Sequence, residues 1–421
     1  MDIKTAPSLS PILETLLLRY GGLAEETSRT SRCLRNVAHA VKALSDCYTH
    51  GGITTQDDIL SDPALLRAYV LYYLPVNLVK IFAALDELAC AYFTSHQIKG
   101  HINLLDLGCG PGTYTLGLLE YIQKNSALFS NLIGVSWLGL DRSQTALEAA
   151  THLVADYSTH MCMPTSVISA GSFRKTILDP VHIRRELSRY GKPFHMVIIG
   201  NVLTELSSSD IQPLLREIVS WMTPEGIMII IEPGTRTSFR KLLTCRDVVV
   251  THALLDLYAP CLRSGLCPLA SHGSAWCHAL LQWEPPKSVA LLDSVLPFHK
   301  HKGLAYSYLV ATKQPSNRLE PYAVEPAEYV WRVISTMLHH RGEERCYVCD
   351  GVTRVLLRRL KKHASTYNAA FSRVRRGDLL CIQGSVDRGH FFDITGSTRV
   401  RRLWPEDSMS AIRADTEGMC R

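Results

Sequence analysis

Leu104-Leu105-Asp106-Leu107-Gly108-Cys109-Gly110-Pro111-Gly112-Thr113 carries a short apolar run straight into three glycines at alternate positions. The run suits a buried strand and the residues from Thr113 onward return to helical spacing, so the glycines form a strand-to-helix turn. Glycine there lets backbone N–H groups and a bulky ligand come close, because no Cβ fills the space. The spacing is G-x-G-x-G. A dinucleotide fingerprint needs glycine at position 113, where Thr113 stands, and no Lys follows the loop as in a Walker A sequence, so a triphosphate is disfavoured.

Downstream, a second apolar segment, 136–140, ends in Leu138-Gly139-Leu140-Asp141. In a parallel sheet that carboxylate falls beside the first loop, at the edge where the ligand crevice opens, and can accept bonds from two ribose hydroxyls. The plainer role for Asp141 is capping the next helix. Asp106 can orient the loop or meet a ligand ammonium, and Cys109 is a small loop filler. Further apolar segments at 102–107, 166–169, 195–199 and 226–231 alternate with helical ones at 113–123, 143–157 and 211–222, the last preceded by Ser207-Ser208-Ser209 as caps. Such alternation predicts an α/β fold with a parallel, Rossmann-like sheet. Asn201, in Gly200-Asn201-Val202-Leu203-Thr204-Glu205, and Glu232, in Glu232-Pro233-Gly234-Thr235, follow the fourth and fifth strands into the crevice and are the candidate catalytic groups. The expected binding set for a nucleoside cofactor is Asp106, Gly108, Cys109, Gly110, Gly112, Thr113, Asp141 and Asn201. The third-strand region, 168–173, offers no acidic residue for a base amine.

The chain has 421 residues, 46% of them hydrophobic, enough for a large core and two or three domains. Residues 1–97 have helical periodicity, 98–313 carry the α/β pattern with a Cys-rich insertion at 257–280, and a strand at 306–311 predicts a closing hairpin. The three prolines within 314–326 mark a linker. A small basic β domain is expected at 327–405 and a flexible tail at 406–421. From 341 to 402 there are 14 Lys and Arg against 6 Asp and Glu, more excess charge than the whole chain's +6, which suits a phosphate backbone or a solvated basic face. No apolar run approaches the ~20 residues of a membrane span, so no membrane association is expected. Asp2, Lys4 and Glu14 suit neither a secretory signal nor a transit peptide, making a cytoplasmic location the default; a monomer is the default assembly.

Thirteen cysteines, scattered and odd in number, point to reduced thiols rather than a disulfide framework. Cys261 and Cys267 lie in Pro260-Cys261-Leu262-Arg263-Ser264-Gly265-Leu266-Cys267-Pro268, and Trp276-Cys277-His278 follows. A fourth thiol is available from Cys346-Tyr347-Val348-Cys349. Four cysteines with irregular spacing and neighbouring prolines suit an iron–sulfur cluster, whereas structural zinc favours two short C-x2-C pairs, of which only 346/349 is present. Unligated buried cysteines are the third reading.

Several segments together carry a more specific likeness: Tyr72-Tyr73-Leu74-Pro75, the glycine loop, Asn201-Val202-Leu203-Thr204-Glu205-Leu206, Ile231-Glu232-Pro233-Gly234-Thr235, Ala259-Pro260-Cys261, Cys267-Pro268-Leu269, Trp276-Cys277-His278 and Tyr306-Ser307-Tyr308-Leu309-Val310. Over residues 65–380 the chain resembles the methyltransferase-like assembly factors of the mitochondrial small ribosomal subunit and their bacterial relatives, within the class I S-adenosylmethionine-dependent methyltransferases. The resemblance implies S-adenosylmethionine in the glycine-loop crevice, and a 4Fe-4S cluster on Cys261, Cys267, Cys277 and Cys349. Of the C-terminal pair, Cys349 fits better because it follows a basic strand where the family has its last ligand. The likeness also implies binding to small-subunit ribosomal RNA, for which Arg354, Arg358, Arg359, Lys361, Lys362, Arg373, Arg375 and Arg376 can neutralise phosphates. It brings in the mitochondrial matrix as the alternative location.

Three functions compete. The first is methyl transfer to ribosomal RNA or a ribosomal protein, with catalysis resting on positioning. No general base is evident, and the chain lacks an Asn-Pro-Pro-Tyr-type segment after the fourth strand. The second is a non-catalytic ribosome-assembly factor that keeps the fold as an RNA-binding scaffold. The third is a zinc-containing small-molecule methyltransferase.

Overall fold

The computed structural model describes residues 6–23, 32–50, 58–89, 92–95, 100–160, 168–296, 303–315, 318–319, 322, 324–325 and 328–404. The tail expected at 406–421 lies outside them, as does part of the 314–326 segment.

The chain begins with helices α1 (Pro11–Tyr20), α2 (Arg32–His50), α3 (Pro63–Ala68), α4 (Leu74–Ala89) and the single turn α5 (Tyr92–Ser95). Ser10 Oγ caps α1 through Leu13 N, and Asp62 Oδ1 caps α3 through Ala64 N and Leu65 N, with proline at the first helical position in both. A π-helical turn, Tyr69–Tyr73, joins α3 to α4. The continuous helix Pro63–Ala89, 27 residues, is long and apolar enough to cross a membrane, contrary to the expectation that no stretch approached that length. It is instead a core helix, with 83% of its most apolar window buried inside the protein. Apolar residues all round a helix are what a fully surrounded position requires.

The first sheet comprises β1 (Gly100–Leu107), β2 (Leu132–Asp141), β3 (Ile168–Lys175), β4 (Phe194–Gly200), β5 (Met222–Pro233), β6 (Asp256–Ala259), β7 (Ala279–Gln282) and β8 (Gly303–Thr312). Its order is β3-β2-β1-β4-β5-β8-β6, with β7 also on β8. The first five strands run parallel, while β8 is antiparallel to β5, β6 and β7. Crossovers are made by α6 (Thr113–Lys124), α7 (Gln144–His160), α8 (Pro180–Tyr190), α9 (Ser208–Ser220) and α10 (Arg236–Thr251), and α11 (Lys287–Asp293) precedes β8. Alternation along the strands feeds two cores. Ile102, Leu104, Ile227, Ile229 and Ile231 pack with the N-terminal helices, α6 and α7. Leu105, Leu107, Met228 and Ile230 pack with α8, α9 and α10. Parallel strands buried on both faces and one antiparallel strand closing the far side constitute the Rossmann-like class I methyltransferase fold.

Some elements differ from expectation. The third strand runs on through Lys175, because Trp137 of β2 covers Gly171 and Phe173 adds the apolar contact that the sequence lacks at Ala170-Gly171-Ser172. Helix α9 starts at Ser208, with Ser207 Oγ accepting from Asp210 N, and stops at Ser220 because β5 takes Met222. Helices α8 and α10 were not anticipated.

A second sheet follows: β9 (Tyr329–Val333), β10 (Leu338–His340), β11 (Glu343–Cys349), β12 (Arg354–Leu360), β13 (Leu379–Gln383), β14 (Val386–Asp387), β15 (Phe392–Ile394) and β16 (Arg399–Trp404), ordered β14-β15-β12-β11-β9-β13-β16, with β10 on β11. Its core gathers Trp331, Val333, Cys346, Val348, Leu357, Phe371 and Ile394. The buried Glu87 on α4 ties this unit to the first: its carboxylate meets Arg332 of β9, Arg318 and the Tyr308 hydroxyl of β8. Arg318, within the segment expected to be a linker, is therefore anchored.

Candidate functional site

The topological switch point lies between β1, which also pairs with β2, and β4, which also pairs with β5; this is where a sheet of this kind places its ligand crevice, and the glycine loop follows β1 there. Gly108 N donates to Leu140 O at 2.8 Å, fixing the loop against the end of β2. Gly110 has φ +50°, and a Cβ built on it would project into open space with no atom within 4 Å. The loop thus presents bare backbone to the crevice.

Asp141 clips this loop: Oδ2 accepts from Gly110 N and Oδ1 from Ser143 N, each at 2.9 Å. It serves the turn into α7 as well as the loop, and burial raises its pKa. Asp106 is fully buried; Oδ2 accepts from Thr115 N at 2.9 Å and Thr115 Oγ1 at 2.8 Å, while Oδ1 has no partner. Burial outweighs those bonds and pushes its carboxyl up to about 7. Glu232 behaves alike. Its Oε1 accepts from Val202 N at 3.0 Å and Leu203 N at 2.9 Å, its Oε2 has no partner, and burial pushes it to about 7. Asn201, at φ +58°, donates from Nδ2 to Tyr114 Oη at 3.1 Å and leaves Oδ1 buried and unpaired. Thr113 Oγ1 is also buried and unpaired. Cys109 is buried, its thiol pushed well above the ordinary value by burial and then by Asp106 and Asp141, as befits an inert filler. At Gly112, φ +81°, a Cβ would meet Val154 and Ala150 of α7 at 3.1 and 3.3 Å.

Sequence reasoning missed the contribution of the N-terminal helices. Lys80 on α4 is buried and donates to Asn77 Oδ1 at 2.7 Å. Burial lowers its pKa to about 8, against the field of Glu232. Tyr69, in the π turn, stands beside Thr113 and Asn77 within reach of the Asp106 and Asp141 charges. The available signal was Asn77-x-x-Lys80, two polar residues one helical turn apart within an otherwise apolar run.

Cys261, Cys267, Cys277 and Cys349 line a single cavity between α10, β8 and the second sheet. Gly351 makes this possible: a Cβ there would stand 2.6 Å from Arg263 O and 3.0 Å from Cys261 Cβ. Leu262 N donates to Asp350 O at 3.0 Å, holding the Cys261 segment to the β11–β12 turn. Cys346 points the other way, into the second core. Burial, followed by the neighbouring thiols, raises Cys277, and burial raises Cys349 to about 12. Arg246 and Arg332 also line the cavity, and Arg376 stands beside Cys277. Among the described residues, no three His, Cys, Asp or Glu stand close enough together to hold a metal ion. The four thiols match a four-thiolate centre in number and lie among cationic side chains, but as they stand they are not gathered into a metal-holding group.

Seven of the eight basic residues divide into two groups, and the eighth, Arg354, is half-buried with its guanidinium 4.1 Å from the centre of the Tyr347 ring. Lys361, Lys362, Arg373 and Arg375 are exposed. Arg359 is not available to phosphate: it is buried and bonded to Glu344, Asn368 and Ser372. Arg358 is held by Asp393 at 2.8 and 3.0 Å, and Arg376 by the carbonyls of His278 and Ile334. The expectation that all eight face phosphate fails for these three, because the sheet uses them internally.

A family model described as mitochondrial small ribosomal subunit Rsm22 matches residues 64–381. Among curated proteins no match was found. Similar solved structures include magnesium protoporphyrin IX methyltransferase from Synechocystis PCC 6803 with bound SAM, 12% identical, covering 65% of this chain and 97% of that one at a TM-score of 0.33. Another is an O-methyltransferase family protein from Burkholderia thailandensis, 12% identical, covering 68% of this chain and 74% of that one at a TM-score of 0.35.

Proposed function

Because the chain belongs to the mitochondrial small ribosomal subunit Rsm22 family, we propose that it is a methyltransferase-like factor of the small ribosomal subunit that binds S-adenosylmethionine in the glycine-loop crevice. The observation that carries this reading is the set of four buried, unpaired polar atoms around one loop: Asp106 Oδ1, Thr113 Oγ1, Asn201 Oδ1 and Glu232 Oε2. Buried polar groups left without partners are costly, and their convergence on a bare-backbone loop calls for a polar ligand. The ligand supplies an electrophilic methyl group; the chain's own residues hold its polar ends and exclude water. Titration with S-adenosylhomocysteine tests the binding, and tritiated-methyl incorporation into immature small subunits, abolished by Asp106→Ala, tests turnover.

The non-catalytic alternative has its own support. A Cβ on Gly108 would stand 2.0 Å from Val202 Cγ1, so the turn after β4 packs onto the glycine loop, and Glu232 Oε1 is spent on the backbone of that same turn. Absence of incorporation at saturating cofactor favours the scaffold.

Cys261, Cys267, Cys277 and Cys349 would hold a 4Fe-4S cluster, supported by their shared cavity and the guanidiniums around it. Exposed Lys361, Lys362, Arg373 and Arg375 suit ribosomal RNA. The family description favours the mitochondrial matrix as the location.

A further inference from the structure

Among the described residues, the buried ammonium of Lys80 has no counter-ion. Its one hydrogen-bond partner among the described residues is Asn77 Oδ1, and no carboxylate oxygen comes within 4.0 Å. An ammonium has three N–H donors, so two are left without a protein partner among the described residues. Holding a desolvated charge in this way is costly unless something compensates it. Glu232, whose charge is felt at Lys80, does not compensate directly, since its Oε1 is bound to the β4 turn and its Oε2 is unpaired.

The unused groups around the crevice sort into two chemically opposite sets. Asp106 Oδ1, Asn201 Oδ1 and Glu232 Oε2 are acceptors in need of N–H donors. Lys80 Nζ is a donor in need of an anion, and the Thr113 hydroxyl, beside Tyr69, is able to donate as well. Adjacent needs of both kinds match a zwitterionic α-amino acid, whose ammonium brings three donors and whose carboxylate brings acceptors.

Building on the cofactor reading proposed above, we infer that Lys80 is the anchor for the carboxylate of the cofactor's amino-acid tail, with Thr113 beside it and Asp106, Asn201 and Glu232 taking the ammonium. The N-terminal helices then form part of the binding site rather than a support for it. Removing Lys80 leaves the nucleoside half of the site untouched, since the glycine loop and Asp141 belong to β1, β2 and the turns after them.

Calorimetry on the full chain with two ligands tests this: S-adenosylhomocysteine, which has the amino-acid tail, and 5′-methylthioadenosine, which does not. Lys80→Met should weaken S-adenosylhomocysteine by about 10- to 100-fold, the range for a charge-assisted hydrogen bond, and leave 5′-methylthioadenosine unchanged. Lys80→Arg should keep most of the preference. Should Lys80→Met fail to fold, Lys80→Gln carries the same comparison. Equal S-adenosylhomocysteine affinity in wild type and variant, or equal loss for both ligands, overturns the assignment. A wild type that binds both ligands alike removes the role of Lys80 and leaves the cofactor crevice standing; one that binds neither removes both.

Discussion

Glu87 on α4 grips Arg332 on β9 through two contacts, 2.9 Å from Nη1 to Oε1 and 3.0 Å from Nη2 to Oε2, and takes the Tyr308 hydroxyl at 2.7 Å as well. One carboxylate thereby joins the helical region, the first sheet and the basic sheet. A fork-shaped pair of this kind is held in fixed geometry, and losing the carboxylate leaves the buried guanidiniums of Arg318 and Arg332 without the negative charge that balances them. Glu87→Ala should therefore lower stability by about 3–5 kcal/mol, read as a shift in the urea midpoint.

The same residue predicts acid sensitivity. Burial alone would raise the Glu87 pKa, but Arg332 and Arg318 hold it down at about 2. A depressed carboxyl contributes stability that is complete above its unfolded value of about 4.5 and is lost as pH falls through the folded value. Melting temperature should drop between pH 5 and pH 2, and the drop should be smaller in Glu87→Gln.

Asp106 and Glu232 have the opposite sign. Burial lifts both to about 7, so each folded carboxyl loses its proton late and destabilises the ligand-free protein as pH rises from about 4 to about 7. A cationic ligand favours their charged forms. Affinity for S-adenosylmethionine should rise from pH 6 to about pH 7.5, below the value of about 8 at which Lys80 begins to lose its own charge, and Asp106→Asn should flatten that rise.

In anaerobically purified protein, iron should approach about four atoms per chain with brown absorbance. Cys349→Ala should lose that iron. Cys346→Ala, which empties a position in the second core, should keep it while lowering the melting temperature.

For the basic surface, Lys361→Ala with Lys362→Ala should weaken RNA binding and reduce the salt slope by about 1–2. Arg359→Ala should instead destabilise the second sheet, since Glu344 and Asn368 would lose their partner. Equal effects of both changes on the salt slope would contradict this division.

The strand-to-helix turn at Gly108 to Gly112, the acidic end of β2 and the presence of a parallel α/β sheet were legible because glycine spacing and apolar alternation are local signals. The third strand was misplaced because its apolar partner, Trp137, belongs to the neighbouring strand. Lys80 left only the faint signal of its spacing from Asn77, which acquires meaning only when folding packs α4 against α6, β5 and β8. Fourteen basic residues could be counted, but which of them face solvent depends on pairs such as Arg358 with Asp393, formed between strands 35 residues apart. The cysteines could be grouped by density, whereas the separation of Cys349 from Cys346 follows from β-strand alternation across two cores.

Calorimetric titration of the full-length, folded protein with S-adenosylmethionine is the most direct measurement. One saturable site per chain is predicted, lost in Gly110→Val, where a branched side chain would enter the open crevice at a left-handed backbone position. A wild-type protein with a cooperative melt and no heat of binding for S-adenosylmethionine or its demethylated product would contradict the account.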